Sequence, residues 1–230
     1  MWCRIRVGAV VLALVGLSAA GYAQVDGSEK GGPRAVVENE ITFIHIGDTH
    51  YNHGEDNAED KRERYKKRIE MINNLPGTPY PARVGGKVGR PMGVIHVGDI
   101  SEGALEDIEV FAKLWGLTAE DGLLNYPLYE GAGNHDGAPS TRGGAVRQTI
   151  IERNKERPRL TSTSERGLHY SLDYRGVHFV QLNEYGGYND DQRYSGNGNY
   201  NRKAQGFGNP AEKSLQFLAQ TLEENVGDSG

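Results

Sequence analysis

The sequence predicts an α/β domain built on a parallel sheet, because three short apolar runs alternate with segments of helical periodicity. The three runs cover residues 41–46, 93–97 and 126–129. Strands that are joined through helices lie parallel, with right-handed crossovers. Farther along the chain, a hairpin pattern over residues 168–182 indicates antiparallel strands and therefore mixed or two-layer β-structure.

The two segments between these strands carry apolar residues at helical spacing. The first helix is predicted over residues 56–75 and ends at Pro76-Gly77. Its apolar face consists of Tyr65, Ile69, Ile72 and Leu75. The second helix is predicted over residues 105–115. Its apolar face consists of Leu105, Ile108, Phe111 or Ala112, and Trp115.

The second half of the chain predicts two more helices around the hairpin. One helix covers residues 146–155, and the other covers residues 211–225 with Leu215, Leu218 and Leu222 on one face. Arg175-Gly176 forms the hairpin turn. Residues 185–210, rich in Gly, Asn and Tyr, form a long loop that either lines a substrate cleft or is plain surface.

The N-terminus has the pattern of a secretory signal peptide over residues 1–23. Arg4 and Arg6 precede an apolar run that is too short to span a bilayer, and small residues place the cleavage site after Ala23. We therefore expect an exported protein, periplasmic or extracellular. Residues 24–39 are expected to form a flexible lead-in, and residues 40–230 the folded domain.

Length and charge limit the possible functions. A chain of 230 residues suits one ordinary domain. Its formal net charge of -5 argues against a nucleic-acid polymer as partner, since sequence-independent binding to nucleic acid needs a basic surface. Apart from the short N-terminal run, no stretch is apolar enough for a membrane span.

Residues able to bind metals follow each of the three strands. In chain order they are Asp48 and His50, then Asp99, then Asn134, His135 and Asp136. The carboxyl ends of parallel strands meet at one edge, where α/β proteins bind ligands. A strand-like end would also direct Asp48 and His50 to the same side. Carboxylate, imidazole and amide donors together suit divalent manganese, zinc or iron.

These segments resemble the motifs of the calcineurin-like metallophosphoesterase family. The matching motifs are Gly47-Asp48-Thr49-His50, Gly98-Asp99 and Gly133-Asn134-His135-Asp136. The resemblance implies a β-sandwich of mixed sheets flanked by helices. It also implies that the protein hydrolyses phosphomonoesters or phosphodiesters, either in small molecules or in lipid headgroups. The attacking group would be a hydroxide bound to a dinuclear metal centre.

The resemblance also implies a role for each residue. Asp48 and His50 would bind the first metal ion and Asn134 the second, while Asp99 would bridge both ions. His135 would face the leaving group, where it would donate a proton or stabilise the charge on the phosphate.

By the same resemblance, Asp136 would orient the imidazole of His135. The family also uses a later lone His and a Gly-His-x-His motif. After Gly137 the sequence has only His169 and His178, both within the predicted hairpin, and no Gly-His-x-His motif. We therefore expect a chain truncated at its C-terminus, with weak or absent binding of the second ion. The alternative function is a non-catalytic, exported binding or surface module with a degenerate metal site.

Three other histidines occur within apolar strands. His45, His96 and His178 are predicted to be packed core residues and not metal ligands.

Overall fold

The computed structural model describes residues 15–16, 40–51, 58–101, 104–133, 135–136, 143–182 and 213–227. The strands among them are β1 (Val15–Gly16), β2 (Ile44–Ile46), β3 (Val94–His96), β4 (Leu128–Glu130), β5 (Ser162–Thr163), β6 (Tyr170–Tyr174) and β7 (Val177–Gln181). The helices are α1 (Ala58–Asn73), α2 (Leu105–Trp115), α3 (Gly143–Glu156) and α4 (Ser214–Asn225). The predicted order of strands and helices is confirmed, with β1 and β5 in addition.

One sheet is parallel and has the strand order β2-β3-β4. Ile44 pairs with Val94, and Val94 pairs with Leu128. The segment with α1 joins β2 to β3, and α2 lies between β3 and β4. The predicted parallel sheet is therefore confirmed, and the carboxyl ends of all three strands lie at the same edge.

The second sheet is antiparallel and has the order β1-β7-β6-β5. Its centre is the predicted hairpin of β6 and β7, in which Tyr174 pairs with Val177. The turn residues Arg175 and Gly176 have φ values of 50° and 76°. A two-residue hairpin turn of type I′ requires positive φ at both positions, so the turn chemistry agrees with the pairing.

A large apolar core lies between the parallel sheet and helices α1, α2 and α3. Its buried members from these elements include Tyr65, Ile69, Ile72, Val94, Ile108, Phe111, Leu114, Trp115, Leu128, Val146 and Ile150. The predicted apolar face of α2 is wrong at Leu105, which is 43% exposed. Leu105 is the first residue of the helix and precedes the part that packs on the core.

A second apolar cluster joins the two sheets. It contains Ile95 and Tyr129 from the parallel sheet, and Tyr170, Leu172 and Phe179 from the antiparallel sheet. Side chains alternate along a strand, so β3 and β4 present one face to the helices and the other face to β6 and β7.

Helix α4 packs differently from the prediction. Its buried residues are Ser214, Phe217 and Thr221. Leu215, Leu218 and Leu222 are only half-buried. The polar face of the antiparallel sheet explains the difference, because its serine and histidine side chains bond the hydroxyl of Thr221.

The three strand histidines have different environments. His96 and His178 are buried, as predicted. His45 is exposed, so that prediction is wrong. It lies on β2, which is an edge strand of the described parallel sheet and is covered less than β3.

Two predicted segments lie outside the described residues. They are the loop 185–210 and, except for Val15 and Gly16, residues 1–39. Val15 and Gly16 pair with His178 and Val177 of β7. Of the helices in the described part of the chain, none has both the length and the apolar character needed to cross a membrane.

Candidate metal centre

Two of the three predicted motif loops are joined by backbone hydrogen bonds. The N–H groups of Asp48, His50 and Tyr51 donate to the carbonyls of Gly98, Asp99 and Ile100, over distances of 2.8–3.0 Å. These bonds continue the pairing of β2 with β3 beyond the ends of the strands. The loop that contains Asp48 and His50 is therefore held in a fixed register beside Asp99.

The backbone at this edge is strained. Asp48, His50 and Asp99 have φ values of 52°, 45° and 52°, in the left-handed region that residues other than glycine seldom adopt. The predicted strand-like extension at Asp48 and His50 is therefore wrong. Such backbone conformations persist only where the surrounding structure enforces them, and they concentrate at functional sites.

The side chains of these residues nevertheless converge. The Nε2 atom of His50 lies 3.7 Å from Oδ1 of Asp48 and 3.8 Å from Oδ2 of Asp99. The exposed side-chain fraction falls from 64% at Asp48 to 33% at His50 and 13% at Asp99. Asp99 is thus the innermost of these three side chains, and Asp48 lies at the rim.

The loop after β4 brings His135 to the same place. Its backbone N–H donates a 2.9 Å hydrogen bond to Oδ1 of Asp99. Its ring lies edge-on to that of His50, with ring centroids 4.7 Å apart. Three separate strand ends therefore meet around one carboxylate.

The ligand atoms of His50, Asp99 and His135 all lie within 4.8 Å of one another. Two ligands on opposite sides of one ion, each about 2.1 Å from it, would be about 4.2 Å apart. A small closure would therefore let the three donors contact a single ion. The mixture of imidazole and carboxylate fits a divalent ion such as zinc, manganese or iron.

The structure thus adds His135 to the possible metal ligands, whereas the resemblance implied a role at the leaving group. Its position in the sequence directly after Asn134 was the available signal. Asn134 itself lies outside the described residues. Within the described part of the site, Asp48, His50, Asp99 and His135 are brought together.

Asp136 is completely buried beneath these loops. Its carboxylate accepts hydrogen bonds from the backbone N–H groups of Ile100, Ser101 and Gly133, at 3.0–3.1 Å. Burial raises the pKa of Asp136 to about 6, while the three N–H groups favour the ionised form. These backbone partners differ from the imidazole of His135 that the resemblance implied for it. Asp136 joins the loop after β3 to the loop after β4.

A buried ion pair supports the end of β4, which leads into the third motif. Glu130 contacts Arg153 at 2.6 Å and Arg157 at 2.8 Å. Burial alone would raise the pKa of Glu130, but the guanidinium groups of Arg157 and Arg153 outweigh burial and lower it to about 2. The sequence prediction did not identify this cluster. The signal was a glutamate directly after the apolar strand residues Leu128 and Tyr129.

Comparison with known proteins agrees with this geometry. The model of the family described as calcineurin-like phosphoesterase matches residues 41–220, which run from just before β2 into α4. A search of curated proteins finds no match. The family match includes all three motif loops and extends over the hairpin as well. Because this family model matches most of its length, the chain belongs to the calcineurin-like phosphoesterase family.

Proposed function

We propose that the protein hydrolyses phosphomonoesters or phosphodiesters with two divalent metal ions bound at the carboxyl ends of β2, β3 and β4. Its family consists typically of metal-dependent phosphoesterases. The observation that carries the proposal is the convergence of His50, Asp99 and His135, whose ligand atoms lie within 4.8 Å of one another.

Asp48, His50 and Asp99 would hold the first ion. Asp99 and Asn134 would hold the second, which we expect to bind weakly because it has only these two ligands in the sequence. The position of Asp99 supports its shared role. Its Oδ2 faces His50, and its Oδ1 faces the loop that carries Asn134 and His135. Ions of manganese, iron or zinc at such a site supply positive charge for the phosphate and lower the pKa of a water molecule.

His135 is the proposed proton donor to the leaving oxygen. Its side chain is exposed at the mouth of the site, where it can reach a substrate. The same ring also lies close enough to bind a metal ion. The metal affinity of His135→Ala therefore distinguishes a proton donor from a metal ligand. A proton donor would lower turnover and leave metal affinity almost unchanged, while a ligand would lower both.

The proposed substrates are small phosphoesters or lipid headgroups. The open rim at Asp48, which is 64% exposed, leaves the metal-binding edge accessible from solvent. The net charge of -5 makes a nucleic-acid polymer an unfavourable partner.

The test is an assay of the purified, metal-free protein after addition of Mn²⁺, with bis-p-nitrophenyl phosphate and p-nitrophenyl phosphate as substrates. Turnover should depend on the metal and fall to background in Asp99→Asn. The amide oxygen of that variant can still accept the N–H of His135, so its fold should persist. In His135→Ala, loss of a general acid should lower turnover about 100-fold or more.

Glu109→Gln is the matched control, because it neutralises an exposed carboxylate on α2 away from the site. Its turnover should equal that of the wild type. If the wild type hydrolyses neither substrate above the level of Asp99→Asn, the proposal fails in favour of a non-catalytic binding module.

We also propose that the protein is exported and cleaved after Ala23, as the basic residues and short apolar run of residues 1–23 indicate. Cleavage there would remove β1, the neighbour of β7 on one side within the described sheet. Mass spectrometry of the protein from a bacterial periplasm or culture medium should give an N-terminus at Gln24. An intact N-terminus in the cytoplasm would contradict export.

A further inference from the structure

A chain of buried hydrogen bonds links the loops after β2 and β3. It starts at the backbone N–H of Gly98, which donates to Nδ1 of His96 at 3.2 Å. Nε2 of His96 lies 3.1 Å from Oγ1 of Thr49. That hydroxyl in turn donates to the carbonyl of Ile100 at 2.9 Å.

The direction of each bond follows from its neighbours. Since Nδ1 of His96 accepts a hydrogen bond, the ring proton is on Nε2 and is donated to Oγ1 of Thr49. The hydroxyl proton of Thr49 is then free to go to the carbonyl of Ile100. His96 is fully buried, and burial lowers its pKa to about 3, so the ring is neutral near pH 7.

The ring of His96 is also fixed by packing. It lies edge-on to the ring of Phe111 on α2, with centroids 5.5 Å apart. The hydrogen-bond chain therefore contacts the apolar core at Phe111 as well as the two loops that it joins.

Thr49 and His96 lie next to the proposed metal ligands in sequence or through their hydrogen bonds. Thr49 lies between Asp48 and His50, both of which have positive φ. The bonds to Gly98 and Ile100 flank Asp99, the third residue with positive φ among the ligands. Backbone strain of this kind persists only where surrounding contacts maintain it.

We infer that Thr49 and His96 are positioning residues of the metal centre, which hold the Asp48–His50 segment against Asp99 at the spacing that an ion requires. The inference rests on the proposed metal-dependent function, since it concerns the same ligands. Neither side chain is one of the proposed metal ligands. Both act through the backbone on either side of the ligands.

The test is calorimetric titration of metal-free protein with Mn²⁺, together with chemical unfolding in the absence of metal. Thr49→Val keeps the shape of the side chain and removes the hydroxyl, so Mn²⁺ affinity should fall by about 10–100-fold. Thr49→Ser keeps the hydroxyl and should retain affinity within about threefold of the wild type. Should Thr49→Val fail to fold, Thr49→Ala serves for the same comparison.

Thr78→Val is the control for the loss of a threonine hydrogen bond elsewhere. Oγ1 of Thr78 donates to the carbonyl of Leu75 at 2.6 Å, in a loop outside the metal centre. The Mn²⁺ affinity of Thr78→Val should equal that of the wild type. The inference is overturned if Thr49→Val binds Mn²⁺ like the wild type, if Thr78→Val loses as much affinity, or if the wild type binds no Mn²⁺.

Failure of the inference and failure of the proposed function give different results. A wild type that binds Mn²⁺ but hydrolyses neither phosphoester contradicts the function, while the affinity of Thr49→Val still decides the inference. Metal-dependent hydrolysis with an unchanged affinity in Thr49→Val supports the function and overturns the inference.

Discussion

Gly98 and Gly133 lie against each other at the carboxyl edge of the parallel sheet. A Cβ atom at Gly98 would be 2.2 Å from the backbone nitrogen of Gly133. A Cβ atom at Gly133 would be 2.2 Å from Oδ1 of Asp99. The glycines of two motifs are thus required by one close backbone contact, which lets the third loop approach the Asp99 carboxylate.

Gly98→Ala should destabilise the protein more than Gly85→Ala does. Both glycines have positive φ, 108° and 71°, but a Cβ at Gly85 meets no atom within 4 Å. Left-handed backbone should cost about 1–2 kcal/mol in either variant. The clash at Gly98 should add about 1–3 kcal/mol. Urea unfolding of the metal-free variants measures the difference, and equal losses would show that the close contact is relieved without cost.

Asp136→Asn should lower the free energy of unfolding by about 1–3 kcal/mol, because an amide cannot accept all three backbone N–H groups and leaves a buried donor unpaired. His135→Asn is the control, since its side chain is exposed and its loss should change stability by less than about 0.5 kcal/mol. Thermal unfolding without metal checks both. If Asp136→Asn were as stable as the wild type but impaired in turnover, a role in orienting His135 would be favoured instead.

Glu130→Gln should show a pH-dependent loss of stability. The pKa of Glu130 is about 2 in the folded protein, against an ordinary value of 4.5. A lowered carboxyl pKa gives stability that is complete above pH 4.5 and is lost as the pH falls towards 2. At pH 7 the variant also leaves the buried guanidinium of Arg157 and the partly buried guanidinium of Arg153 without their carboxylate, which should cost about 3–5 kcal/mol.

The difference between wild type and Glu130→Gln should therefore shrink between pH 4.5 and pH 2. Urea unfolding at pH 7 and at pH 3 gives the two values. If the difference in unfolding free energy stays constant over this range, the ionisation of Glu130 does not cause the pH dependence of stability.

Thr221→Val should loosen α4 from the antiparallel sheet. Its hydroxyl lies 2.9 Å from Oγ of Ser171 and 3.1 Å from Nε2 of His178, and all three residues are buried. Loss of the hydroxyl should cost about 1–3 kcal/mol through unpaired polar groups. Thr221→Ser, which loses only a methyl group, should cost about 1 kcal/mol. Denaturant unfolding compares the pair, and the reverse order would indicate that apolar packing holds the helix.

Much of the fold could be predicted from local patterns. The apolar runs before Gly47 and Gly98 determine two parallel strands, and the turn Arg175-Gly176 determines the hairpin, because each depends on neighbours along the chain. The inward face of α4 could not be predicted in this way. It depends on the polar residues Ser171 and His178, which are far from α4 in sequence.

The sequence by itself determined which side chains could bind a metal and that they follow successive strands, because residue type and strand order are local properties. Only the tertiary structure decided how they are held. The left-handed backbone at Asp48, His50 and Asp99 depends on contacts between loops that are about fifty residues apart in the chain. So do the burial of Asp136 and the bond from His96 to Thr49. Such contacts form only when the sheet brings its strand ends together, so no local pattern encodes them.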